Sequence, residues 1–446
     1  MESISRVDGM KHFTADEPKP ATKESRTAAL AYHQPTSAYL HIPFCRRRCY
    51  YCDFPISVVG DRPPLARQGV SSFGTIAEYV EVLCQEIRTV AASGQPLQTV
   101  FLGGGTPSLL TVSQLGHILE VLDQQFGIAT DAEISIEMDP GTFDWVQIHG
   151  YRAAGVNRVS LGVQAFQADL LAACGRTHTP TDIDQAVALL NRAGIRNFSL
   201  DLISGLPHLT LDRWQESLAA AIALAPTHLS IYDLTIEPGT AFQRWYRPGV
   251  APLPTEESTA EMYRMAQRTL TAAGYQHYEI SNYAKPGYQC RHNCVYWRNR
   301  PYYGFGLGAT SYVQGQRFSR PRTRRDYYQW VQIQQQTGGQ IDGPLISETD
   351  RLLETLMLGL RLAEGLAISE LVQEFGEAAL CQILECLYPY GQQGWVEVVA
   401  AGQSSSNACN AGLASPQQGY IRLRDPEGFL FSNVILTALF EQFSEM

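Results

Sequence analysis

From residue 37 onward, short apolar runs alternate with longer segments in which apolar residues recur every three or four positions. The runs "SAYLHI", "TVFLGG", "AEISIEM", "NRVSLGV", "NFSLDLI" and "HLSIYDL" read as strands. The segments between them, such as "AEYVEVLCQEIRTVAA", "TVSQLGHILEVLDQQFG" and "LDRWQESLAAAIALA", carry the helical period. Strands alternating with helices of this length make βαβ units and a parallel sheet. At least six such units between residues 37 and 237 imply an α/β fold, a full or partial (β/α) barrel with its site at the C-terminal ends of the strands. An open doubly wound sheet would collect the same residues along one edge.

Outside this alternation the pattern changes. Residues 1–36 are polar and aperiodic, which predicts a disordered leader, and residues 57–74 read as a loop before the first long helix. The barrel rhythm fades after residue 320. From 348 to 446, helical patterns ("DRLLETLMLGLRLAEG", "ISELVQEFGEAALCQILECL") precede short strands and a last helix, as expected of a small C-terminal α+β domain of winged-helix-like kind. Residues 401–417, rich in Ser, Asn, Ala and Gly, predict a flexible hairpin insertion.

Charge and composition narrow the function classes. A net charge of −10 argues against nucleic acid as a partner, because such proteins usually carry a basic stripe. Only four lysines occur, at 11, 19, 23 and 285, so Schiff-base chemistry has almost no candidates and cationic work falls to arginine. No apolar run approaches the roughly 20 residues of a membrane span and no secretory signal opens the chain, so the cytoplasm is the expected compartment. In that compartment ten cysteines do not read as a disulfide framework.

Three of them need another explanation. Cys45, Cys49 and Cys52 fall within "HIPFCRRRCYYCDF", just past the first strand. C-x3-C-x2-C brings three thiolates within reach of one metal centre. Iron–sulfur cubes usually take four cysteines, so three leave one iron open for a substrate or cofactor. A zinc site completed by Cys290, His292 or Cys294 is the alternative. The other unusual residues also fall at predicted strand ends: "GGGTP" after the second strand, Glu137 in the third, Gln164 after the fourth and Asp201 in the fifth.

"YLHIPFCRRRCYYCDF" followed by "GGGTP" resembles the radical S-adenosylmethionine (SAM) superfamily. With "SIEMDP", "SLGVQAF", "GRTH", "DLISGLP" and "HNCVYW" in order, the chain is similar to the oxygen-independent coproporphyrinogen III oxidase-like (HemN/HemW) family along nearly its whole length after residue 37. The resemblance implies a partial (β/α)6-type TIM barrel over 37–320. It also implies a [4Fe–4S] cluster on Cys45, Cys49 and Cys52, and SAM contacts at Tyr39, Gly104, Gly105, Thr106, Glu137, Gln164, Arg176 and Asp201.

Residues 275–312 hold eight of the 22 tyrosines, Trp297, His277 and His292, surroundings that suit a flat aromatic ligand. A barrel-closing segment whose aromatics are core, with His292 capping a turn, would look the same. The resemblance divides the family here. The decarboxylating oxidase has a further cysteine two positions after the third, where this chain has Phe54. Its heme-chaperone branch shares "CDF" and the H-N-x-x-Y-W motif. The reading favoured is therefore a heme chaperone that uses heme, SAM and a cluster, with His292 as candidate heme ligand and Cys290 or Cys294 as rivals for that role. Its partners would be an acceptor hemoprotein, such as a membrane-bound respiratory one, and an electron donor for the cluster; a homodimer is compatible with it. The alternatives are the oxidase, a radical SAM modifier of RNA and a zinc-stabilised binding protein.

Overall fold

The computed structural model describes residues 34–60, 72–339, 343–400 and 419–444. Most of the expected leader and hairpin insertion, and residues 61–71 of the expected loop, lie outside these. Six βα units follow one another. The strands are β1 (Ser37–Ile42), β2 (Leu97–Gly104), β3 (Ile128–Met138), β4 (Arg158–Gln164), β5 (Asn197–Ser204) and β6 (His228–Asp233). They are parallel and neighbour one another in chain order. Residues Tyr303–Phe305 add a parallel strand beside β1, while Asn282–Ala284 and Gln276–Glu279 continue antiparallel beyond β6. Among the described residues the two ends of this nine-stranded sheet are not paired with each other, so the barrel is partial.

Alternation along each strand decides what faces where, because successive side chains point to opposite sides. Ile134, Ile136 and Met138 of β3 join the apolar core, as do Leu200 and Leu202 of β5 and Val159 and Leu161 of β4. That core is shared with helices α1 (Ser72–Thr89), α2 (Val112–Phe126), α3 (Trp145–Ala153), α4 (Pro180–Arg192), α5 (Leu211–Ala223) and α6 (Glu256–Ala272). The intervening positions are polar or glycine: Glu133, Ser135 and Glu137 on β3, Ser160, Gly162 and Gln164 on β4, Ser199 and Asp201 on β5. The barrel thus has a polar interior inside an apolar jacket. Helix starts are set locally: Thr111 and Thr179 cap α2 and α4 in reciprocal boxes with Gln114 and Asp182.

A buried ion pair ties the segment after the barrel to α1. Glu86 accepts from Arg320 Nε at 2.7 Å, from the Gly306 N–H at 2.8 Å and from the Tyr327 hydroxyl at 2.6 Å. Both side chains are essentially inaccessible to solvent.

The C-terminal region has its own apolar core. Helices Glu348–Gly359, Ile368–Gln392 and Ser432–Ser444 and a three-stranded antiparallel sheet enclose Leu356, Leu360, Ile383, Ile421 and Leu439. Gly376, at φ 83°, interrupts the second helix. Tyr263 of α6 belongs to this core, and Arg264–Glu427, His277–Asp425 and Arg317–Glu354 contacts bind it to the barrel. Among the described residues no helix is long and apolar enough to cross a membrane.

Candidate functional site

A cavity of about 1040 Å³ opens at the C-terminal ends of the strands. Cys45, Cys49, Cys52, Tyr39, Gly104, Gly105, Thr106, Glu137, Gln164, Arg176 and Asp201 all line it. Residues up to 162 positions apart in sequence meet there because they sit at or just past the C-terminal ends of inward-facing strand rows, or on the loops that follow them. His292 does not join them, and neither do Cys290 and Cys294.

The three thiols are unpaired and half-buried. Burial pushes Cys45 and Cys52 up to about 12, and the neighbouring cysteines push in the same direction. Loading a metal centre must therefore displace protons. Thr106 Oγ1 stands 3.6 Å from Cys45 Sγ, and Arg176 donates from Nη1 to Cys49 Sγ at 3.5 Å, so a hydroxyl and a guanidinium face the site of thiolate charge. Among the described residues no three His, Cys, Asp or Glu converge on a single ion. An iron–sulfur cube asks for something else, one thiolate to each of several irons, and three free thiols on one cavity wall fit that donor set. Cys290 Sγ lies instead against Glu133 Oε1 at 3.6 Å, fully buried, so a zinc site completed from that segment is not assembled here.

The glycine turn is explained by packing of the chain on itself. A Cβ on Gly105 would sit 2.7 Å from the Phe44 carbonyl oxygen and 2.9 Å from that of Ile42, and one on Gly104 would meet the His41 ring at 2.5 Å. Gly105 N–H donates to the Ile42 oxygen and Thr106 N–H to the Phe44 oxygen, at 2.9 and 2.7 Å. The turn after β2 is thus bonded to the backbone that delivers Cys45, and only glycine allows that approach.

Around it the polar groups are fixed. Glu137 Oε2 accepts from the Gly104 N–H at 2.9 Å; burial, with Asp201 and Asp139 adding, lifts its carboxyl from 4.5 to about 7. Asp201 accepts from the Ser160 and Ser199 hydroxyls at about 3 Å, and burial also raises its pKa. Gln164 has a left-handed backbone, φ 67°, at the end of β4, a strained conformation of the kind that collects at functional sites. Tyr39 and His41 are adjacent on the inner face of β1. His41 Nε2 lies 3.1 Å from the Pro55 carbonyl oxygen, which can only accept, so Nδ1 is left to accept from the Tyr39 hydroxyl at 3.1 Å. Burial keeps this imidazole neutral by pushing it down to about 4.

Three residues that serve the site were not among those expected. Asp139 pairs with Arg176, and its other oxygen is 3.1 Å from Thr106 Oγ1. Gly162 accepts from Arg176 Nη2 through its carbonyl at 2.8 Å, and a Cβ there would strike Asp139 at 2.8 Å. His41 orients Tyr39. Asp139 and His41 lie within the quoted runs "SIEMDP" and "YLHIPFC", and Gly162 within "SLGVQAF". Their neighbours drew notice because their chemistry is overt; these act through geometry that one strand's sequence does not display.

His292 is placed quite differently from its expected role. It is wholly buried at the start of the short helix Arg291–Trp297, stacked on Phe101 with ring centroids 5.2 Å apart. Nδ1 lies 2.7 Å from Thr99 Oγ1 and Nε2 2.8 Å from the Tyr296 hydroxyl, so both ring nitrogens are engaged inside the protein. Burial pushes it down to about 3. Glu133 anchors the helix start, accepting from the Arg291 and His292 N–H groups at 3.1 and 3.0 Å. From the tyrosine-rich segment, Tyr296 and Tyr302 do reach the cavity wall.

Comparison with known proteins agrees with this architecture. The family model described as the Radical SAM superfamily matches residues 39–221, and that of the HemN C-terminal domain matches 346–398. The chain is 51% identical to the heme chaperone HemW of Synechocystis sp. over 414 residues, spanning 93% of this chain and 98% of that one. It is 38% identical to the heme chaperone HemW of Escherichia coli over 355 residues, 78% and 87% of the two chains. The solved structure of coproporphyrinogen III oxidase HemN from Escherichia coli, a radical SAM enzyme, superposes with a TM-score of 0.73 over 94% of this chain and 93% of that one. At 24% identity that likeness establishes the fold alone.

Proposed function

The chain belongs to the HemW heme-chaperone family within the radical SAM superfamily, and on that premise we propose that it binds a [4Fe–4S] cluster, SAM and heme and delivers the heme to an acceptor hemoprotein. Cys45, Cys49 and Cys52 each give one thiolate to the cluster and leave one iron to SAM. Tyr39, Gly104, Gly105, Thr106, Glu137, Gln164, Arg176 and Asp201 receive SAM, with Glu137 and Asp201 accepting from hydroxyls and Asp139 holding the Arg176 guanidinium in place. When bound, cluster and SAM together supply one-electron chemistry, for which a reduced donor protein is the natural source. Heme enters the same cavity against Tyr296 and Tyr302.

The observation that carries this reading is the convergence of all those side chains on one cavity with an aromatic wall. His292 contributes by bracing Tyr296 from beneath, since it is wholly buried and ligating iron through either ring nitrogen would cost it the hydrogen bond on that nitrogen, to Thr99 or to Tyr296. The acceptor is a hemoprotein, a membrane-bound respiratory one being the leading candidate, and the work is done in the cytoplasm. Phe54 lines the cavity where the oxidase carries its additional cysteine, which supports the chaperone over the decarboxylase.

The test is anaerobic. The cluster is reconstituted, SAM cleavage by reductant is confirmed, and heme binding and heme transfer to an apo-acceptor are followed by absorbance. Robust conversion of coproporphyrinogen III to protoporphyrinogen IX by the same preparation would defeat the reading.

A further inference from the structure

The cavity is larger than the group of residues assigned to cluster and SAM. Its volume of about 1040 Å³ is at the upper end of what one small ligand uses, roughly 300–1000 Å³. The lining continues to Tyr232, Tyr296, Tyr302, Arg317 and Arg322. Five arginines line the cavity; Arg46, Arg47 and Arg176 belong to the cysteine loop and the residues beside it, while Arg317 and Arg322 come from the segment after the barrel.

Arg317 is held rigidly. Nε and Nη2 donate to the two oxygens of Glu354 at 3.2 and 2.9 Å, Nη2 also to Asn299 Oδ1 at 3.4 Å, and Nη1 to the Tyr302 hydroxyl at 3.3 Å. A guanidinium has five N–H donors, so these contacts leave one on Nη1. Arg322 is exposed and donates from Nη2 to the Asp53 carbonyl at a long 3.4 Å. Its charge is felt inside the cavity, where it helps to lower the pKa of His41. Next to Arg317, which donates to the Tyr302 hydroxyl, Tyr296 and Tyr302 stand edge to face with centroids 4.6 Å apart, and His292 bonds to the Tyr296 hydroxyl. The cavity thus offers a braced aromatic pair with one cation bonded to it and a second cation, Arg322, in its lining, both of a shape suited to carboxylates.

We propose that this wall is a subsite for a flat tetrapyrrole dicarboxylate, with the ring against Tyr296 and Tyr302 and the carboxylates on Arg322 and the remaining Arg317 N–H. Aromatic side chains suit the ring, and Arg–carboxylate contacts are the strong, directional kind. This deepens the heme-binding reading and rests on it. Recognition resides in the carboxylates, so iron and its axial ligand add little to the first capture.

The experiment uses the full chain with its cluster and three probes: heme, iron-free protoporphyrin IX and protoporphyrin IX dimethyl ester. Affinities are measured by tryptophan quenching for the wild type and for Arg322→Ala. The two free acids bind alike, the ester about tenfold or more weaker, as expected for losing hydrogen bonds to charged groups. Arg322→Ala weakens the free acids by about the same factor, leaves the ester unchanged and leaves SAM affinity unchanged. Arg317→Lys, which keeps a cation beside Glu354, gives the same loss of discrimination in smaller measure. Equal binding of acid and ester by the wild type, equal weakening of both in Arg322→Ala, or loss of SAM affinity instead, overturns the subsite while leaving heme binding intact. Failure of the wild type to bind any of the three probes defeats the heme-binding reading itself.

Discussion

Glu137 makes one side chain answer to pH in two opposite directions. In the ligand-free chain its carboxyl is lifted from 4.5 to about 7, burial being the main cause, while its Oε2 is held by the Gly104 N–H. If SAM hydroxyls donate to the carboxylate, only the ionised fraction is competent: about a tenth at pH 6 and about nine tenths at pH 8. Affinity for SAM should therefore rise about tenfold across that interval through Glu137 alone. The ligand's own amino group titrates nearby, so the informative quantity is the ratio of wild type to Glu137→Gln. The amide still accepts from Gly104 N–H but carries no charge, so the variant should bind about tenfold more weakly at pH 8 and lack the Glu137 component of the slope. Isothermal calorimetry with a non-cleavable SAM analogue on cluster-loaded protein measures this. Stability runs the other way. A folded pKa above the unfolded 4.5 means that the folded chain keeps a proton the unfolded chain has released, so this contribution is complete below 4.5 and is lost as pH rises to about 7. Equal pH slopes in wild type and Glu137→Gln would refute the reasoning, because the carboxylate would then be idle.

Gly105→Ala forces a Cβ to within 2.7 Å of the Phe44 oxygen and so displaces the backbone leading to Cys45. Overpacking of this kind costs about 1–3 kcal/mol, and iron and sulfide content after reconstitution should drop; full loading with an unchanged melting temperature would contradict it. Glu86→Ala strands Arg320, the Tyr327 hydroxyl and the Gly306 N–H in the interior, for a loss of about 3–5 kcal/mol in urea unfolding. His292→Ala leaves the Thr99 and Tyr296 hydroxyls without their partner and should destabilise the fold by about 1–3 kcal/mol. The ligand-field spectrum of bound heme should stay as in the wild type, and a changed axial signature would restore His292 as a ligand. Asp139→Asn releases Arg176 and should weaken SAM binding with little effect on melting, to be checked by parallel titration and calorimetry.

Local pattern and spacing were sufficient for the large features. A two-residue period in strands and a 3.6-residue period in helices are properties of neighbouring residues, so the six βα units could be read directly, and the C-x3-C-x2-C spacing marked the cysteine loop. The inward faces of β3, β4 and β5 were legible too, since Glu137, Gln164 and Asp201 all fall on rows whose alternate members are apolar. What tertiary structure alone decided is how distant residues share one atom's surroundings. That the glycines of "GGG" make room for the chain itself as well as lining the cavity depended on where Phe44 and Ile42 carry their carbonyls. Whether His292 reached a ligand or closed a hydrogen-bonded chain depended on Thr99, 193 residues away. An imidazole is equally good at ligation and at bridging two hydroxyls, so its composition and neighbours in sequence are the same in both cases. In this structure burial, which removes water as a competing partner, goes with the hydrogen-bonded arrangement.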